Sequence, residues 1–276
     1  MANKQTYTDK PLNQFIMISN NSQLLAAGRA DLKGRWAEAA MLTFVMCIIS
    51  FSGSAIGGVI DTLVYGPQAV SASTNFNLYN LMSALSSGVF STLMSLLLIP
   101  VGWSFTMTFL AHHRHESDDP FGVGNLFTGY RHFWKVLGVV LLQVVLVYLC
   151  IIPFGLIAFL MMKFMLLIDP WVLLGVAIIL FICIGAWVGI RLSMMPFILR
   201  DNPQMRIMDI MHQSVRMMDG HKMQFLRLSL FYLALILLCI PTLCIGLLWA
   251  IPYIEQTTVN FYEQVRAEYD GQKQAA

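Results

Sequence analysis

Val136 to Met162 reads VLGVVLLQVVLVYLCIIPFGLIAFLMM, twenty-seven residues without a single Asp, Glu, Lys or Arg. As an α-helix rising 1.5 Å per residue, such a run reaches about 40 Å. That exceeds the hydrocarbon core of a bilayer, about 30 Å thick. A core helix of a soluble domain would be shorter or would carry a polar stripe. The run therefore reads as a membrane-spanning helix, and the rest of the chain is judged against it.

Outward from it, four more apolar blocks qualify: Ala37 to Ile60, Ala84 to Ala111, Trp171 to Leu199 and Phe225 to Ile251. The expected fold is an all-α membrane protein, a polytopic bundle of five transmembrane helices. Pro100, Pro153 and Pro241 fall within or near the end of three blocks, each with a glycine close behind. A proline there removes a backbone hydrogen bond and kinks or breaks the helix. If Pro241 ends one span and starts another, the count becomes six. The chain divides into 1–36, an amino-terminal segment with an amphipathic helix, 37–252, the transmembrane domain, and 253–276, a polar tail.

Composition agrees. Of 276 residues, 57% are hydrophobic and 12% charged, against about 25% charged in soluble domains. Too little polar surface is left to cover a water-soluble particle, which excludes a soluble enzyme. A net charge of +2 gives no footprint for nucleic acid. The five cysteines, Cys47, Cys150, Cys183, Cys239 and Cys244, sit inside apolar blocks and read as small hydrophobes.

Orientation follows from Lys and Arg in the short loops. Fourteen of the seventeen lie before Ala37, in residues 111 to 135, or in residues 191 to 227. None lies between Asp61 and Asn80, and only Lys163 precedes Pro170 on that side. The expected location is the cell inner membrane, with a cytoplasmic amino terminus and an undecided side for the carboxyl terminus.

Two stretches are predicted to lie as helices on the cytoplasmic membrane surface. In Met205 to Met218, apolar Ile207, Met208, Met211, Val215 and Met218 recur every three or four residues opposite Arg206, Asp209, Gln213 and Arg216. Gln23 to Trp36 ends in Lys33-Gly34-Arg35-Trp36, a basic and aromatic anchor. The polar run Glu255, Gln256, Thr257, Thr258 and Asn260 reads as the last helix emerging into water behind Trp249 and Tyr253, with a cavity lining as the alternative.

All six histidines fall in two predicted cytoplasmic loops. His112, His115 and Glu116 are spaced to share a helical face, and with His221 they form the candidate metal-ligating set. Exposure of a His-rich loop to solvent or lipid phosphate is the leading reading. Neither HExxH nor GxSxG occurs, and no carboxylate pair lies within an apolar span, so no catalytic residue and no cofactor is expected. Gln143 is the most notable polar residue inside a span and reads as a helix-to-helix hydrogen bond. Gly175, Gly185 and Gly189 read as small residues for close helix packing.

Certain landmarks carry a resemblance. They are Leu32-Lys33-Gly34-Arg35-Trp36, Gly129-Tyr130-Arg131-His132-Phe133-Trp134-Lys135, Ser214 with Met217-Met218-Asp219-Gly220-His221-Lys222, and Leu248-Trp249-Ala250-Ile251-Pro252-Tyr253 with Phe261-Tyr262-Glu263. Together they resemble the bacterial integral membrane family grouped as domain of unknown function 975. That family's Gly-Trp pair in the fifth span has no counterpart around Phe231-Tyr232-Leu233-Ala234. The resemblance implies a polytopic bacterial membrane protein and supplies no catalytic residues. The expected function is a non-enzymatic component, transport-related or lipid-interacting, whose partners are membrane lipids and a second copy or another membrane protein. The alternative is a metal-binding or metal-sensing protein built on the His loops.

Overall fold

The computed structural model describes residues 21–65, 78–116, 119–164, 170–242 and 245–275. Residues 1–20 of the amino-terminal segment, most of the expected outer loop between Asp61 and Asn80, the turn before Pro170, and Cys244 lie outside the described residues.

Helix α1 (Asn21–Asp31) turns through Gly34 (φ +91°) into α2 (Trp36–Tyr65). Then come α3 (Leu78–His113), a 3₁₀ segment (Val123–His132), α4 (Phe133–Phe164) and α5 (Pro170–Leu192). Short helices α6 (Met195–Asp201) and α7 (Ile207–Met217) lead to α8 (Lys222–Cys239), and α9 (Leu247–Ala275) closes the chain. Among the described residues four helices are long and apolar enough to cross a membrane, within α3, α4, α5 and α8 together with short extensions; α1 and α2, bent by 93°, make a fifth if taken as one span.

Two halves differ in packing. Where α1, the end of α3, the 3₁₀ segment, α6, α7 and the later turns of α9 meet, side chains such as Leu32, Phe109, Leu126, Ile198, Ile210 and Phe261 are fully buried. Each contributes about 1.5–3 kcal/mol by leaving water. Away from this base, α2, α4, α5 and α8 present Phe51, Leu63, Leu149, Ile182 and Leu238 outward. In water such a belt would be an aggregation site; against hydrocarbon it is the matching surface.

The block from Phe225 to Ile251 is not one kinked helix. It stops at Cys239, makes a 3₁₀ turn over Ile240–Thr242 and restarts at Leu247. Helix α9 then runs back antiparallel along α8. Tyr232 Oη lies 3.2 Å from Thr258 Oγ1, the Phe225 and Phe261 rings are 5.1 Å apart, and His221 Nε2 meets Glu268 Oε2 at 3.1 Å. Pro100 and Pro252, in contrast, sit inside continuous helices.

Helix α9 also corrects the expected polar tail. Gln256, Thr257, Val259, Asn260, Phe261, Tyr262, Gln264 and Val265 are buried rather than emerging into water. Part of that burial is compensated: Gln256 Nε2 donates to Asp31 Oδ2 and Thr257 Oγ1 to the Tyr253 carbonyl, whereas Gln256 Oε1 and Asn260 Nδ2 are buried without a partner among the described residues. Helix α1 lies directly on α9: a Cβ on Gly28 would come within 2.5 Å of Thr257 Oγ1, and Tyr253 Oη donates to the Leu25 carbonyl at 3.1 Å. Helix α7 likewise turns Ile210, Ser214 and Met217 into the protein, with Ser214 Oγ donating to the Arg191 carbonyl. Its apolar face is spent on α5 and α6 more than on a membrane surface, although Met208 remains exposed. Gln143 Nε2 donates to the Leu192 carbonyl at 2.8 Å, the helix-to-helix bond expected of it. Gly175, Gly185 and Gly189 meet nothing within 4 Å and do not mark close packing within this chain.

Candidate functional site

Two polar structures occupy the packed base. The first is an ion network centred on Asp201, the last residue of α6. Arg114, just past the end of α3, places Nη1 2.7 Å and Nη2 3.1 Å from the two Asp201 carboxylate oxygens, and its Nε donates to Glu263 Oε1 at 2.7 Å. Arg266 Nη1 reaches Asp201 Oδ2 at 2.8 Å, and Tyr262 Oη donates to the same oxygen at 2.5 Å. Burial opposes the Arg114 charge, but Asp201 and Glu263 more than offset it and push its pKa up. Burial and then the Asp201 charge raise the Tyr262 phenol, which stays a neutral donor. This network ties α3, α6 and α9 together.

Beside it, Asp31 at the end of α1 joins two other elements. His113 Nδ1 donates to Asp31 Oδ2 at 3.1 Å, Gln256 Nε2 donates to the same oxygen at 3.2 Å, and His112 Nε2 donates to the Asp31 carbonyl at 3.0 Å. A carbonyl can only accept, so His112 carries its proton on Nε2.

The second structure is a cavity of about 390 Å³ between α3, the 3₁₀ segment and α6. Trp103, Met107 and Leu199 give it apolar walls, and Glu116, Arg131, His132 and Arg200 give it ionisable groups. A ten-residue 3₁₀ helix is unusual, since such runs seldom exceed about 3–4 residues. This one is held from outside. Leu126 is fully buried, Gly129 N donates to Ser104 Oγ at 2.7 Å, and Tyr130 Oη donates to the Leu97 carbonyl at 2.7 Å. Glycine is required at 129, where a Cβ would fall 2.3 Å from the Pro100 carbonyl oxygen.

The same segment starts an aromatic strip. Phe127 stacks on Tyr130 at 6.3 Å, Tyr130 on Phe133 at 6.3 Å, and Trp134 meets Phe133 edge-on and stays 80% exposed. At the end of α5, the Arg191 guanidinium lies 4.4 Å from the Trp187 ring. Amphipathic rings and arginines of this kind settle where hydrocarbon meets headgroups.

The histidine set does not converge. His112 is engaged with Asp31, Glu116 pairs with Arg200, and His221 pairs with Glu268; the His112 and His115 rings stand 6.4 Å apart. Among the described residues no three His, Cys, Asp or Glu side chains gather as metal ligands. What was not anticipated is the Asp201 network and the pairing of Asp31 with two histidines.

Long apolar helices around a polar, tightly packed base define a helical protein of membrane type. The chain belongs to the family described as Protein of unknown function (DUF975), whose match covers residues 17–269. Curated proteins and solved structures give no significant match.

Proposed function

We propose that this chain is a non-enzymatic integral protein of the cytoplasmic membrane that works as a lipid-interacting component, in company with a second copy or another membrane protein. The packed base, which carries the basic loops, lies on the cytoplasmic side together with the amino terminus. One observation carries the reading: an outward apolar belt on α2, α4, α5 and α8 adjoins a polar base, with the Phe127 to Trp134 strip where the 3₁₀ segment passes into α4. That is how a protein meets a bilayer and its headgroups at once. The absence of hydrolytic motifs from the sequence supports a role without catalysis.

The test is extraction followed by reconstitution of the full chain. It should stay in the membrane pellet through alkaline carbonate. In vesicles it should melt at a higher temperature when phosphatidylglycerol replaces part of the phosphatidylcholine, since a ligand bound by the folded state stabilises it. Release by carbonate, or equal melting in both lipids, would overturn the reading.

A further inference from the structure

We propose that the cavity between α3, the 3₁₀ segment and α6 binds a phosphate-bearing ligand, a lipid headgroup or a free phosphate compound, on Arg131 and His132. The inference deepens the lipid-interacting reading and rests on it.

Its volume, about 390 Å³, falls in the range of small-ligand sites, about 300–1,000 Å³. Most of its polar groups are already committed. Arg200 Nη1 donates to the Met107 carbonyl at 2.8 Å and Nη2 pairs with Glu116. Asn125 Nδ2 donates to the Asp119 and Pro120 carbonyls, Thr128 Oγ1 to the Asn125 carbonyl, and Thr108 Oγ1 to the Phe105 carbonyl. Arg131 and His132 are left: both line the cavity, and neither has a partner among the described residues.

The charge balance favours an anion. Glu116 is cancelled by Arg200 and also has Arg114 at 3.8 Å, so the Arg131 charge is in excess. A guanidinium fork matches the oxygens of a phosphate in pairs, and an imidazole N–H adds a third donor. The walls fit an amphiphile: Trp103, Met107 and Leu199 would take a glycerol or acyl stem next to the charged head. The 3₁₀ segment that carries Arg131 also carries Phe127 and Tyr130, which places Arg131 and His132 at headgroup depth in the reading above.

The experiment uses full-length protein in neutral detergent with three probes: phosphatidylglycerol, phosphatidylcholine and inorganic phosphate. Native mass spectrometry reads bound lipid, and equilibrium dialysis reads bound phosphate. One phosphatidylglycerol, or one phosphate ion, should be retained per chain, and R131Q with H132Q should weaken it about tenfold, as loss of charge-assisted contacts does. R131K, which keeps the charge and loses the fork, should fall between. Arg227→Gln, an exposed arginine on α8, should change nothing. Lipid retention without phosphate binding identifies the headgroup; phosphate binding without lipid retention identifies the free anion. Equal retention by wild type and a folded R131Q/H132Q double variant, or no retention of either probe, overturns the site. A chain that stays in carbonate-washed membranes yet shows equal retention loses the site alone, whereas release by carbonate removes the reading beneath it.

Discussion

Asp201 bonds four groups on other elements with one carboxylate: the two terminal nitrogens of Arg114, Arg266 and Tyr262. Removing its charge would take the shared carboxylate from Arg114 and Arg266, leaving Arg114 with Glu263 and Arg266 with Asp270 at 3.8 Å. Breaking a buried pair in this way costs about 3–5 kcal/mol. Arg114 keeps 22% of its side chain exposed, which puts D201N at the lower end. The measurement is the thermal midpoint in detergent, and a midpoint equal to wild type would refute the assignment. None of this was legible in the chain. Arg114, Asp201 and Glu263 stand 87 and 149 residues apart in their contacts, and no local spacing announces such a meeting. The histidines were legible as a cluster, but spacing on a helix says nothing about what faces it. Here Asp31 from a different helix takes His112 and His113, and Glu268 takes His221.

At the scale of elements, length and apolarity were enough to find α2, α3, α4, α5 and α8, because a bilayer-length run has few other uses. Helix α9 departs from what its polarity implies. Gln256, Thr257 and Asn260 read as part of a helix emerging into water, yet they are buried, and Asp31 at the end of α1 offers Gln256 an acceptor. The signal for burial was present in Val259, Tyr262, Val265 and Tyr269, apolar residues that recur every three or four positions through the polar run. Phe261 is fully buried against Phe225. Phe261→Ala should cost about 3–5 kcal/mol, as large-to-small core changes do. Met208→Ala on the exposed side of α7 should stay within about 0.5 kcal/mol. Chemical or thermal melts of the two variants side by side decide it: similar losses would mean that α9 does not belong to the core.

For the whole molecule, the turn between α8 and α9 decides topology. A single kinked helix from Phe225 to Ile251 would carry the carboxyl terminus across the membrane, away from the basic loops. The hairpin through Ile240–Thr242 instead returns it, with Phe261 beside Phe225 and Glu268 beside His221 at the start of α8. The energetics agree. The second half of α9 carries Glu263, Arg266, Glu268 and Asp270, and Glu263 and Arg266 join the network that Arg114 and Asp201 complete from α3 and α6. Separating that half from its partners would strand charges on both sides of the separation. Single cysteines introduced at Ala72, Gln213 and Gln272, on a background lacking the five native ones, should therefore sort into two groups in intact cells. With the base on the cytoplasmic side, as proposed above, an impermeant thiol reagent should label position 72 alone, and positions 213 and 272 should react only after the membrane is opened. Labelling of 272 together with 72 would place the carboxyl terminus outside, and α9 could then share neither the Asp201 network nor the base that holds the cavity.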